Sequence, residues 1–384
     1  MITIDHYKRG VREMKKAVIV AGALMIACRP GVAQEIKVPI LAPLTGYISL
    51  EGTSQRNGAV LAVKNAPAPL QAAYESFDTA TAPENAINVM ERALSDGDVK
   101  AVVGPILGVQ MLALLPLAKE NEIPLITISG TAKVTEMDNP YVFRFMADDR
   151  VAGEVQARYA VEELGKKKPA LLYQTNAYGQ SGREVLQGAL KNMGAPLVFE
   201  EGLEVSLKDM LPVLIKVRDS GADILITRVH GGPTALILKQ ARAMGLNIPI
   251  IASSTMAQQS TAALVEPSEL QNVCAEATPA PLYDDREPIQ KFRADYLNEF
   301  DQEPDAYALA QYDGVMMVLD AMKNGAQDAE AIRKALAGNT YQGLAGEYKS
   351  DGTGNMVNSG LIICYDGASR TPRQVKVYDH VLNR

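Results

Sequence analysis

From Ile36 onward, short apolar runs alternate with amphipathic stretches, and this alternation constrains the fold more than any other feature. Runs at 36–41, 73–77, 101–103, 125–128, 170–173, 197–200, 224–227, 248–251 and 272–275 read as strands. Segments 53–65, 83–94, 110–121, 151–164, 182–193, 207–219 and 234–244 read as the helices between them. Strands that are apolar throughout are buried on both faces, which requires parallel sheets with helices on either side. Segment 83–94 shows the helical pattern. Ala86, Val89, Met90 and Ala93 share one face, and Asn85, Asn88, Glu91 and Arg92 the other.

So many strands exceed one sheet and divide into two, over about 35–148 and 149–278. After Pro279 and Pro281, helices at 288–300, 306–323 and 328–337 follow with no strand between them. Short β segments at 346–348, 361–365 and 374–378 come last. Helices without strands of their own must cover an existing sheet. The expected lobes are therefore 34–148 with 280–357, and 149–279 with 358–384. The chain then crosses near 147–150, 278–281 and 357–359, three strands of a hinge that permits closure and limits twist.

The 384 residues are 47% hydrophobic and 22% charged, ordinary globular values with length for two domains. A net charge of −7, with no basic cluster interleaved with aromatics, argues against nucleic acid as a partner. One strongly apolar run, 17–27, follows Lys15 and Lys16 and is too short to span a bilayer. With the small residues Gly31-Val32-Ala33 behind it, it reads as a signal peptide, residues 1–33, cleaved after Ala33. Met14 is an alternative start. The expected location is the periplasm. A competing reading makes Cys28 a lipidated first residue, with Met25 where such signals usually carry Leu. Export permits Cys274 and Cys364 to pair, but the plainer expectation is two separate buried thiols. With only His6, His230 and His380, and no Cys/His ligand spacing, neither metal nor cofactor is expected.

Enzyme signatures are absent: no G-x-S-x-G, no P-loop, no H-E-x-x-H, and no G-x-G-x-x-G opening the first helix. The absence of Trp weakens a sugar ligand. What remains is a set of strand-to-helix turns, the places where open α/β sheets bind ligands. They lie at 42–47, 104–108 and 129–131 in the first lobe, and at 176–179, 228–231 and 253–256 in the second. The turns within A-V-V-G-P-I-L-G-V-Q (101–110) and L-I-T-I-S-G-T-A (125–132) offer unpaired helix N–H groups to a small anion. Plainer readings exist for single residues. Ser129 or Thr131 can cap a helix, Tyr47 and Tyr178 can cover a loop, and Asp148-Asp149 and Asp284-Asp285 read as solvated charges or caps.

I-K-V-P-I-L-A-P-L-T-G (36–46) and G-x-x-x-x-N-G-A-x-L-A-V (52–63) resemble the opening of periplasmic leucine/isoleucine/valine-binding proteins. V-V-G-P (102–105), I-S-G-T-A (128–132), Y-V-F-R (141–144), Tyr178-Gly179, L-K-Q-A-R-A-M-G-L (238–246) and Y-A-L-A-Q-Y-D-G-V (307–315) continue the resemblance to Tyr378. It implies a type I periplasmic-binding-protein fold of two Rossmann-like lobes. It also implies a solute receptor that serves the membrane permease of an ABC importer, with no reaction catalysed. Branched-chain amino acids are the ligands the resemblance implies. Carried over, the ligand residues are Tyr47, Leu107, Gly108, Ser129, Gly130, Thr131, Tyr178, His230 and Ser254. Two departures follow. Gly108 stands where a Ser hydroxyl is expected, and neither Ser253 nor Ser254 is the acid expected to receive an ammonium. An amine-free aromatic or aliphatic acid, or an amide, is then credible. Arg228 reads as a ligand contact, a surface charge or an inter-lobe ion pair. A ligand-sensing regulator of the same fold is the alternative function; an export signal argues against it.

Overall fold

The computed structural model describes residues 36–95 and 97–382. The signal-peptide, Cys28 and start-codon readings lie outside them. Two sheets form the molecule. The first is fully parallel, in the order β2-β1-β3-β4-β5: β1 (Ile36–Ala42), β2 (Ala72–Asp78), β3 (Val102–Val103), β4 (Leu125–Thr127) and β5 (Val142–Arg144). The second has the order β14-β13-β10-β9-β8-β6-β7. Its parallel strands are β6 (Pro169–Gln174), β7 (Phe199–Leu203), β8 (Ile224–Arg228), β9 (Ile250–Ala252) and β10 (Val273–Ala277). β11 (Thr340–Gln342) and β12 (Glu347–Lys349) form a separate hairpin. β13 (Gly360–Cys364) and β14 (Arg373–Tyr378) extend the second sheet antiparallel.

Each sheet buries both faces, as its apolar strands require. In β8, Leu225 packs on one side with α6 (Leu211–Asp219) and α7 (Gly231–Ala243). Ile224 and Ile226 pack on the other with α4 (Asp149–Arg158) and α5 (Ala177–Asn192). In the first sheet, Leu125 faces α2 (Pro83–Ser95) and α3 (Gly108–Glu120). Its neighbour Ile126 faces α1 (Ser49–Lys64), α9 (Ala306–Lys323) and α10 (Ala329–Gly338). The late helices thus cover the first sheet, with α8 (Glu287–Phe300) against α1 and α9. In α2, Ala86, Met90 and Ala93 are buried and the polar face is exposed, while Val89 is half-buried.

Two expectations change. Cys274 and Cys364 are not separate thiols but a disulfide, because antiparallel pairing sets them directly opposite each other on β10 and β13. Segment 142–144 is a fifth strand of the first sheet.

Candidate ligand-binding site

The six sequence-identified turns lie at the C-terminal ends of β1, β3, β4, β6, β8 and β9. Four of them are held by buried polar side chains from other elements. Gln55 of α1 donates to the Gly104 carbonyl (2.6 Å) and accepts from Ile106 N (3.0 Å). Arg144, at the end of β5 and wholly buried, donates to the carbonyls of Ser129 (2.9 Å), Thr131 (2.7 Å) and Ala132 (3.3 Å). Gln174 accepts from His230 N (3.1 Å), and Glu276 of β10 accepts from Ser254 N (2.9 Å).

Between these turns lies a cavity of about 40 Å³. Gly108, Ser129, Gly130, Thr131, Tyr178, His230 and Ser254 all line it, from both lobes. Two expected residues stand outside its lining. Leu107 is buried as the residue before α3, and Tyr47 is 42% exposed with its ring 5.8 Å from that of His230.

The Ser129 and Thr131 side chains cap no helix: both hydroxyls are buried and have no hydrogen-bond partner. A buried polar atom without a partner costs on the order of 1–3 kcal/mol, and both residues line the cavity. The N-terminus of α3 also lacks a side-chain cap, leaving its first N–H groups unmatched within the helix. Gly108 is more than a lost hydroxyl. A Cβ there would lie 2.0 Å from Thr131 Oγ1, so glycine makes the room that the Thr131 side chain fills.

The second lobe contributes charge. Arg228 is not a surface residue; it is buried and pairs with Asp149, at the crossing between the two sheets, and with Glu276 (3.2 Å). Its guanidinium lies 4.7 Å from the Tyr178 ring centre. Gly182 of α5 gives it space, since a Cβ there would sit 2.4 Å from Arg228 Nε. Asp148 is a helix cap, accepting from Arg150 N and Val151 N (both 3.0 Å). Asp149 instead turns into the cavity wall, with one carboxylate oxygen unpartnered. Burial raises the Asp149 carboxyl to about 6, against the opposing charge of Arg228. Burial, with Arg228 adding to it, lowers His230 to about 4, so its ring is neutral at pH 7. That ring stacks on Tyr178 at 5.0 Å, and burial raises the Tyr178 phenol to about 12.

The lobes meet around the cavity. Ala132 N donates to Ser181 Oγ (3.0 Å), the Ser254 and Tyr307 hydroxyls are 3.3 Å apart, and Glu51 of α1 accepts from Gly231 N of α7 (3.4 Å). Sequence reasoning missed Gln55, Glu51, Arg144, Asp149 and Glu276. The available signal was a charge in an otherwise apolar strand, as in V-F-R and V-C-A-E-A.

Two facing sheets whose strand-to-helix turns enclose a small cavity have the architecture of a solute-binding protein. The sequence profile of the family described as "Periplasmic binding protein" matches residues 35–364. The chain belongs to that family, in its type I, leucine/isoleucine/valine-binding branch. The leucine-, isoleucine-, valine-, threonine- and alanine-binding protein of Pseudomonas aeruginosa is 23% identical over 364 residues, 91% of this chain and 95% of that protein. The leucine-binding protein of Thermotoga maritima superimposes with a TM-score of 0.82 at 22% identity, over 90% of this chain and 99% of that one. A Rhodopseudomonas palustris solute-binding protein in complex with 3,4-dihydroxybenzoic acid gives 0.82 at 22%, over 90% and 98%.

Proposed function

We propose that the chain is the exported receptor of an ABC importer, capturing a small amino acid between its lobes and delivering it to a membrane permease. The observation that carries this reading is the pair of orphaned hydroxyls, Ser129 Oγ and Thr131 Oγ1, beside an uncapped helix N-terminus. Such donors suit a carboxylate. The unpartnered Asp149 oxygen next to them suits an ammonium: Asp149 N donates to the Gly130 carbonyl (2.8 Å), so the two subsites adjoin. Asp149 thereby supplies the acid that positions 253 and 254 lack. An amine-free acid, such as the one bound by the R. palustris protein, would leave the second oxygen of that carboxylate buried without a partner, which is costly. We place the lobe boundaries at 148/149, 279/280 and 357/358, with closure about these three crossings. No helix among the described residues is long and apolar enough to cross a membrane, in keeping with release into the periplasm.

A thermal-shift screen of residues 34–384 against amino acids, aromatic acids, dicarboxylates and amides tests this. A ligand at a hundredfold excess over its Kd adds on the order of 3 kcal/mol of apparent stability. The expected result is a clear shift with at least one amino acid and none with amine-free acids. A shift with benzoates alone would remove the ammonium subsite.

A further inference from the structure

Three carboxylates line the cavity, Glu51, Asp149 and Glu276, against a single guanidinium, Arg228. His230 is neutral there and offsets none of them. Arg228 is shared between Asp149 and Glu276. The free Asp149 oxygen is matched by a ligand ammonium, on the reading above. An α-amino acid brings its own carboxylate as well, which the first-lobe hydroxyls and N–H groups receive. Glu51 is then left without a cation. It comes from a different helix and is held at a different place, against Gly231 N at the start of α7, and it is 7% exposed. Gly231 lets this contact form beside Thr261: a Cβ there would lie 2.3 Å from Thr261 Oγ1 and 3.3 Å from Glu51 Oε1. A buried carboxylate facing an aliphatic ligand is costly, whereas one facing a cation is matched. The intervening wall is apolar, with Ile48, Ile106, Ile128 and Met146, and suits methylenes.

We infer that the captured solute is not a branched aliphatic amino acid but a compact cationic one, whose distal protonated amine or guanidinium is selected by Glu51. This rests on the receptor reading of the same cavity. Glu51 sets specificity by charge, and its hydrogen bond to Gly231 is a separate contribution to closure.

The test is calorimetric titration of residues 34–384, native and Glu51→Gln, with diamino acids of one to four side-chain methylenes, L-arginine, L-leucine and benzoate. Glutamine keeps an oxygen for Gly231 N and loses only the charge. The native protein is expected to bind its best diamino or guanidino acid at least tenfold more tightly than leucine. Glu51→Gln is expected to weaken that ligand at least tenfold and to leave leucine within about threefold. Leucine or benzoate binding the native protein as tightly as any cationic acid would overturn the inference and leave the receptor reading intact. So would an equal loss for all ligands in Glu51→Gln, which marks a purely structural role. If no member of the panel binds, the reading of this cavity as an amino-acid site falls, and the inference with it.

Discussion

In the first lobe, the buried Arg144 guanidinium occupies the carbonyl oxygens of Ser129, Thr131 and Ala132. In the second, Gln174 and Glu276 occupy the N–H groups of His230 and Ser254. At the 129–131 turn the first lobe ties back its acceptors and leaves hydroxyl donors at the cavity, although Gln55 also occupies the Ile106 N–H in the neighbouring turn. The other ties back donors and offers the Asp149 carboxylate. Both use the same strand-to-helix turn, so the backbone fold does not decide which end of a ligand each lobe receives. The polarity of the side chain that braces the turn decides it. On the proposed reading, a zwitterion matches this opposition.

The largest effect should come from removing a bracing charge, and it should differ between the lobes. Arg228→Met leaves Asp149 and Glu276 buried without their shared cation. Breaking such a pair costs about 3–5 kcal/mol, measured by urea unfolding at pH 7. Part of that loss should return on acidification. The native-state carboxyl of Asp149 lies above its unfolded value, so burial of its charged form is penalised above about pH 6 and relieved as the pH falls through that value. Arg144→Met leaves mainly neutral carbonyls unpaired, about 1–3 kcal/mol each, and its charged partner Asp148, 3.8 Å away, keeps Arg150 at 2.7 Å. Acidification should rescue it less, because Arg144 opposes the Asp149 charge less than Arg228 does. Equal losses with equal pH dependence in the two variants would refute the proposed opposition between lobes.

How far this arrangement could be read from the chain depends on the range of the interaction. The layered α/β fold, and the assignment of the late helices to the first sheet, followed from local periodicity and from helices lacking strands. The turns followed too, because they sit at strand ends. β5 escaped because three residues after Asn139-Pro140 carry little pattern. Leu207 belongs to the loop before α6, which begins at Leu211, since an apolar residue in a loop mimics a helix start. The contacts of the bracing residues are hidden in the sequence for a physical reason. Gln55 lies 49 residues from Gly104 and Glu276 lies 22 from Ser254, and a polar residue in a helix reads as solvent-facing until the fold buries it. The disulfide was hidden likewise, its 90-residue separation closed only by antiparallel pairing. The acid that the resemblance leads one to expect near Ser254 is absent there, and the proposal gives its role to Asp149, one residue past a helix cap.

Within the first lobe, Thr131 and Gly108 form a coupled pair that sharpens the donor side. Thr131→Val should leave urea stability nearly unchanged and weaken ligand binding by about 1.5–3 kcal/mol, the range for a hydrogen bond to a charged group. Gly108→Ser adds the hydroxyl that the resemblance leads one to expect. It should nonetheless weaken binding, because its Cβ would displace Thr131 Oγ1. Overpacking of this kind costs about 1–3 kcal/mol. Thr131→Ala in the same background frees the space, so the double variant should bind better than Gly108→Ser alone. Tighter binding by Gly108→Ser in calorimetry would mean that Thr131 is not the donor that fills this corner.

The smallest expected effect separates the lobes by titration. The first-lobe donors are hydroxyls and backbone amides, which do not ionise between pH 5 and 8. Asp149 does, since burial holds its carboxyl at about 6 against the pull of Arg228. An ammonium binds the ionised form, so a ligand that bears one competes with the proton. Affinity should be full above pH 6 and fall as the pH drops, by about tenfold between pH 7 and 5 for a single proton. His230, lowered to about 4, stays neutral over that window and contributes nothing to the slope. Asp149→Asn should bind more weakly at pH 7 and show a shallower profile, burial of the Glu51 carboxyl supplying what slope remains. Glu51→Gln should keep most of the slope, because its charge faces another part of the ligand. A flat native profile, with affinity constant from pH 7 to 5, would assign the amine to a group other than Asp149 and reduce the second lobe's role to closure.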